Sequence, residues 1–382
     1  MPDKTGLLSQ LLRTRRTGGR RGGPPQQGEA KPMQVAIDYS VRHVFACRMN
    51  VQHLLDVRMV QDRLDGKAAL ICGSVAYDTI LQFQDRFKSH ILPDKIHILN
   101  VSFLVPDMRR EFGGCAANIA YSLNLLGDRG VPMAAAGHDF APYARRMAAQ
   151  GIPVDHIRVV DETFTAQAFI TTDLDDNQIT AFHPGAMQHA HLNRVSDAGS
   201  GIALGIVAPD GRQAMIEHAA QFAAAKIPFI FDPGQGMPMF GGEELKTFIA
   251  QARWVAVNDY EWGLLQQKTG FTVSDITAQV EALVVTRGAE GSIVYTKAKS
   301  LTVPCAAPKA VVDPTGCGDA YRAGLIHGLL HGLDWETTGR VASLMGAIKI
   351  ESRGPQNHEF TRAEFGRRYR DNFGQTLKEF YE

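Results

Sequence analysis

The chain has 382 residues, with 40 Lys plus Arg against 40 Asp plus Glu and a formal net charge of +0 at pH 7. Hydrophobic residues make up 45% and charged ones 21%, the balance of a globular enzyme with room for one large α/β domain or two smaller ones. Neutrality removes any global bias towards nucleic acid or membrane, and no apolar run is long enough for a transmembrane helix. Cys47, Cys72, Cys115, Cys305 and Cys317 are scattered without CxxC spacing, which gives no zinc pattern and fits a reducing cytoplasm.

Residues 1–32 carry Arg13, Arg15, Arg16, Arg20 and Arg21 among Gly, Pro and Gln. Such a segment cannot bury enough surface to fold and is expected to be a disordered tail. A nucleic-acid or membrane tether and an organelle presequence share this composition. An upstream start codon is the simpler account, because Met33, Met49 and Met59 all precede the patterned region. Residues 33–66 have no assignable pattern, and the folded domain is expected over 67–382.

That domain opens with an apolar run over 68–72 ending in Gly73 and Ser74, the pattern of a buried strand at its carboxyl end. Ligands of open α/β sheets collect at such ends. Asp78 follows, a carboxylate able to accept from two vicinal hydroxyls and equally an ordinary turn or helix-cap residue. Segment 81–111 is mixed, and alternation over 96–101 predicts strands outside the main sheet. Gly113 and Gly114 then open a helical run whose small first residues let a ligand lie against the backbone. Residues 165–172 and 179–186 alternate about a polar turn, predicting a hairpin. From residue 206 onward short apolar strands alternate with helices, and one strand ends at Asp232. This argues for an α/β fold with a doubly wound, mostly parallel central sheet.

The most informative stretch is 311–324. Val311 and Val312 enter a turn, Asp313-Pro314-Thr315-Gly316-Cys317-Gly318-Asp319, and a helix-compatible run follows at once. Free N–H groups and the macrodipole make such a helix start a ready anion site. Asp319, in the first turn, would face that anion, and a carboxylate beside a phosphate makes sense if it handles a proton or a metal. The combination points to phosphoryl transfer to a hydroxyl. Taken alone, the same residues also describe an ordinary helix N-terminus.

Residues 313–319 resemble the D-T-x-G-A-G-D signature of the ribokinase-like (phosphofructokinase-B) sugar and nucleoside kinases, with Cys317 in place of Ala. Gly113, Gly114 and Asn118 resemble that family's G-G-x-x-x-N signature. Asn258 and Glu261 match its N-x-x-E element, and Thr286, Gly288 and Gly291 its T-x-G-x-x-G element. The likeness covers about residues 68–360 with the motifs in order, and no P-loop or dinucleotide fingerprint competes with it.

The resemblance implies that Asp319 is the base and that the N–H groups of Gly316, Cys317 and Gly318 form an anion hole. Asp78, Gly113, Gly114 and Asn118 would hold the sugar, and Asn258, Thr286, Gly288, Gly291 and Thr315 would contact ATP. Glu261 would hold Mg2+, mainly through water. Residues 353–356 resemble a loop near a monovalent-cation (K+) site that Asp313 would share. Segments of about 79–112 and 163–186 would form a small β-sheet lid, with Gln167, Phe169 and Phe182 facing a base. Asp139 is expected to cap the following helix. The lid strands are also candidates for pairing in a homodimer. Cys115, where ribokinases proper often have Lys, weakens free ribose as substrate. A purine nucleoside is the favoured acceptor, in the manner of bacterial adenosine kinases. A free sugar such as ribose or a hexose is the alternative, and a non-catalytic sugar- or nucleotide-binding module is a third.

Overall fold

The computed structural model describes residues 68–91, 100–175 and 177–377. The expectations for residues 1–66, and most of the alternating segment 96–101, fall outside these. Two sheets organise the described chain. The larger contains β1 (Ala68–Cys72), β4 (Arg129–Gly137), β5 (Ile157–Val160), β8 (Ile202–Val207), β9 (Phe229–Phe231), β10 (Trp254–Asn258), β11 (Ala282–Thr286), β12 (Ser292–Tyr295) and β13 (Ser300–Val303). The smaller contains β2 (Ala76–Gln82), β3 (Asp107–Gly113), β6 (Ala166–Thr172) and β7 (Gln178–His183). Helices are α1 (Cys115–Leu125), α2 (Ala141–Ala149), α3 (Arg212–Ala225), α4 (Gly242–Gln251), α5 (Asp259–Thr269), α6 (Val273–Thr277), α7 (Cys317–His331), α8 (Trp335–Lys349) and α9 (Arg362–Phe373).

The main sheet has the order β13-β12-β11-β10-β9-β8-β1-β4-β5. Its pairs from β11 through β5 are parallel, and β12 and β13 close one edge antiparallel. From β1 the chain builds outward to β4 and β5 on one side, then returns to β8 and builds the other way. The order therefore reverses at β1, and the crevice outside the carboxyl ends there is where ligands of such sheets bind. Both faces are covered, as a parallel sheet requires. Ala69 and Ile71 pack with α1 residues such as Ile119 and Leu123. Leu70 and Cys72, on the opposite face, join Phe222, Phe231 and Phe248. Fully burying one such large side chain contributes about 1.5–3 kcal/mol, so the strand alternation fixes which face each residue serves.

The small sheet, ordered β3-β2-β6-β7, grows directly from the end of β1. Ser74 ties the two together. Its Oγ accepts from the Cys115 N–H at 3.2 Å and its carbonyl from Ala116 N–H at 3.0 Å. Two N-terminal amides of α1 are thereby used inside the protein. The predicted hairpin forms as the antiparallel pair β6–β7. Gly324 marks a close helix–helix contact. A Cβ there would lie 2.4 Å from the Ala342 Cα, so this glycine admits α8 rather than the sheet.

Candidate active site

Gly316 is the N-cap of α7, with φ 81° and ψ 3°, and a Cβ there would come within 2.6 Å of the Pro355 Cβ. Only glycine suits both demands. The Cys317 N–H is turned inward and donates to Pro314 O at 3.1 Å, which removes it from the expected trio of anion-binding amides. The N–H groups of Gly316 and Gly318 have no protein acceptor among the described residues, and a Cβ on Gly318 would meet nothing within 4 Å. The open side of this helix start is therefore at Gly318. Burial pushes the Cys317 thiol up to about 11, so it fills space rather than offering a thiolate.

Asp319 stands half-buried one residue further on. Burial is the main cause that lifts its carboxyl to about 7, helped by the charge of Asp232 and opposed by a hydrogen bond from Asn118. The Asn118 amide donates to Asp319 Oδ2 at 2.8 Å. Asn118 is itself held by Gln356, whose Nε2 donates to Asn118 Oδ1 at 2.8 Å and to the Tyr143 hydroxyl at 2.6 Å. Tyr143 donates onward to Gly113 O at 2.8 Å. One buried relay thus fixes the Gly113–Asn118 segment against Asp319.

One turn along α7, Arg322 makes a bidentate pair with Asp232, at 3.1 Å and 3.0 Å. Both are 5% exposed. Asp232 ends β9. Glu261, the third carboxylate of this group, forms a capping box with Asn258: Glu261 Oε2 accepts from Asn258 N–H at 2.8 Å and Asn258 Oδ1 from Glu261 N–H at 2.7 Å. Burial and then Asp232 raise the Glu261 carboxyl above its usual range. The Asp232 charge thus raises both Asp319 and Glu261, and a carboxylate such as Glu261 is the oxygen donor that a hydrated divalent cation such as magnesium takes.

Asp78 lies on β2, opposite Glu111 of β3 and Ala168 of β6. Burial, then Glu111 and Asp313, push its carboxyl up to about 6. Gly113 is glycine because of Asp78, since a Cβ there would sit 2.5 Å from Asp78 Oδ2. Gly114, at φ +93°, clears the backbone of residues 74–76 by the same logic. Phe182 pairs with Ala168 and shares the Asp78 face. Gln167 and Phe169 do not. They occupy the alternate face, where Gln167 donates to Asp139 Oδ2 at 3.4 Å. The expectation that all three line one surface is corrected by the register. Asp139 also fails to cap α2. Its Oδ1 accepts instead from Thr165 N–H at 2.7 Å, which binds the hairpin to the main sheet.

Elsewhere the predicted residues divide. Thr286 Oγ1 reaches Val257 O at 3.5 Å. Gly291 is a turn glycine at φ +82°, its Cβ position 2.1 Å from Val303 O, whereas Gly288 at φ +55° faces open space. Thr315 N–H donates to Asp313 Oδ1 at 2.9 Å, and Gly354 N–H to Asp313 Oδ2 at 2.9 Å. The two carboxylate oxygens of Asp313 therefore tie its own loop to the loop at Gly354. Arg322, Tyr143 and Lys349 were not singled out from sequence, and Gln356 entered only as part of the 353–356 loop. Arg322 and Lys349 left a trace as lone cations within apolar helical runs, whereas Tyr143 left none and nothing in the 353–356 loop pointed Gln356 at Asn118.

A helix start with free amides, a raised carboxyl beside it and two further buried carboxylates, outside the carboxyl ends of a doubly wound sheet, fit an ATP-dependent kinase acting on an alcohol group. Comparison with known proteins agrees. The model of the pfkB family of carbohydrate kinases matches residues 87–362, and the chain belongs to that family. It is 31% identical over 261 residues to a nucleoside kinase of Methanocaldococcus jannaschii, covering 68% of this chain and 85% of the relative. The structure of Burkholderia thailandensis nucleoside kinase in complex with inosine superposes with a TM-score of 0.74 at 50% identity, over 81% of this chain and 99% of that one. The same Burkholderia enzyme in complex with ADP-inosine gives 0.72 at 52% identity, over 81% and 97%. No helix among the described residues is long and apolar enough to cross a membrane.

Proposed function

We propose that the chain transfers the γ-phosphoryl group of ATP to the 5′-hydroxyl of a purine nucleoside. The observation that carries this is the pairing of Asp319 with Asn118 beside the open amide of Gly318. The Burkholderia structures with inosine and ADP-inosine support the choice of acceptor. Asp78 and Asn118 bind vicinal ribose hydroxyls, with Gly113 and Gly114 giving them room, and the second sheet acts as a lid. Asp319 accepts the proton of the attacking hydroxyl. The amides of Gly316 and Gly318 stabilise negative charge on the transferring group, which is where such catalysis chiefly arises. Glu261, backed by Asp232, would hold magnesium through water, and that ion supplies charge neutralisation at the phosphates. Phe182 is the aromatic candidate for contact with the base.

A coupled ATP-to-ADP assay tests this with adenosine, inosine, guanosine, cytidine, ribose and fructose 6-phosphate as acceptors. Turnover with purine nucleosides and not with free sugars is expected. Turnover with sugars alone would sink the nucleoside reading.

A further inference from the structure

Lys349, at the last turn of α8, is fully buried. Its ammonium donates to two backbone carbonyls, Asp313 O at 2.7 Å and Ser352 O at 3.1 Å. Those carbonyls belong to two loops that meet beneath the start of α7. The same seam is closed by Val312 N–H and Asp313 N–H, both donating to Ile350 O, at 2.8 Å and 3.1 Å. Gly354 N–H on the Asp313 carboxylate completes it. The titratable groups near enough to act on the ammonium are Asp313, Glu111, the Cys317 thiol and His358.

A full positive charge is costly to bury, and an apolar residue would fill this space more cheaply. What the charge supplies is a strong partner for two inward-pointing carbonyls, of which that of Asp313 is otherwise met only by the Cys317 thiol at 4.0 Å. Turning the Asp313 carbonyl inward presents the following turn, and the amide of Gly318, to the open side. The charge is also felt at Cys317, the first residue of α7 and next to Gly318.

We infer that Lys349 is a tethered monovalent cation, a positioning residue that holds the 313–318 loop in its anion-accepting form and makes a free potassium ion unnecessary there. This rests on the phosphoryl-transfer reading above. Ammonium and potassium ions are of similar size and share a preference for carbonyl cages, so the two are exchangeable in such a nest.

The test compares wild type, Lys349→Ala and Lys349→Met in tetramethylammonium, potassium and ammonium buffers, following kcat, KM and Tm. Wild-type turnover is expected to change by less than about twofold between the buffers. Lys349→Ala should lose about tenfold or more in kcat with KM nearly unchanged, an effect on the transition state rather than on substrate binding. Potassium or ammonium should restore most of that loss and raise the Tm of Lys349→Ala alone, as binding to the folded state requires. Lys349→Met, which fills the space without charge, should not be restored. Wild-type activation of about tenfold by potassium would overturn the inference. So would a folded Lys349→Ala that keeps its kcat or that no small cation restores. If neither variant folds, the wild-type comparison still decides. Activity of the wild type with any acceptor tests the parent reading separately, and the Tm response to potassium needs no turnover.

Discussion

The Asn118 amide and the Asp319 carboxylate meet at 2.8 Å although 201 residues separate them in the chain. One sits in the first turn of α1 and the other in the first turn of α7. Their contact joins the half of the protein proposed to bind the acceptor to the half proposed to bind phosphate. It also holds the carboxylate in one orientation while leaving it raised to about 7, near the pH at which a general base works best.

Asp319→Asn keeps the shape of the side chain and removes its basicity. We expect a loss of about 10²–10⁴ in kcat with KM little changed, and a Tm within a few degrees of wild type. Steady-state kinetics beside a thermal melt checks this. Activity within about threefold of wild type would remove Asp319 from the role of base.

The rate should fall as pH drops through about 7, because the base must be ionised. The hydrogen bond from Asn118 lowers that value, so its removal in Asn118→Ala moves the acidic limb of the kcat profile to higher pH. A limb that stays in place, or moves down, would mean that another group sets it.

Two glycines separate space for ligand from space for protein. Gly318→Ala meets no neighbour within 4 Å and should melt as wild type does, yet lose activity because its methyl occupies the approach of the phosphate. Gly113→Ala drives a Cβ to 2.5 Å from Asp78 Oδ2. Its expected signature is a raised acceptor KM through displacement of Asp78. Unchanged kinetics in Gly318→Ala would show that nothing binds there.

Arg322→Met leaves Asp232 buried and unpaired, which should cost about 3–5 kcal/mol. Replacing both, with Asp232→Leu added, should recover much of that stability. Urea denaturation of the two single variants and the double one measures the coupling. Additive losses would mean that the pair is not a unit.

Asp210, just beyond β8, is buried with Oδ2 unpartnered, and burial pushes it from the ordinary 3.8 up to about 8. Between those values the unfolded chain has released a proton that the folded chain keeps, so stability is lost as pH rises through this window. Asp210→Asn should therefore stabilise the protein increasingly from pH 5 to about 8. A Tm difference between Asp210→Asn and wild type that does not grow with pH would contradict this.

Much of the architecture was legible from local pattern. Apolar runs closed by Gly and Asp gave the parallel strands, and alternation over 165–186 gave the hairpin, because side-chain period and turn chemistry are properties of neighbouring residues. The G-G-x-x-x-N and D-P-T-G-C-G-D stretches marked both helix starts for the same reason. The chain itself dictates where backbone must turn sharply and lie bare.

What the sequence left open depended on meetings between distant segments. Strand register alone placed Phe182 with Asp78 and turned Gln167 and Phe169 to the other face, since a shift of one residue exchanges the faces of a sheet. The fold alone brought Gln356 to Asn118, Arg322 to Asp232 and the Lys349 ammonium to the carbonyl of Asp313. The inward turn of the Cys317 amide was likewise invisible in the motif. A buried charge or amide acquires its meaning from the partner that satisfies it, and that partner is chosen by three-dimensional proximity rather than by sequence spacing.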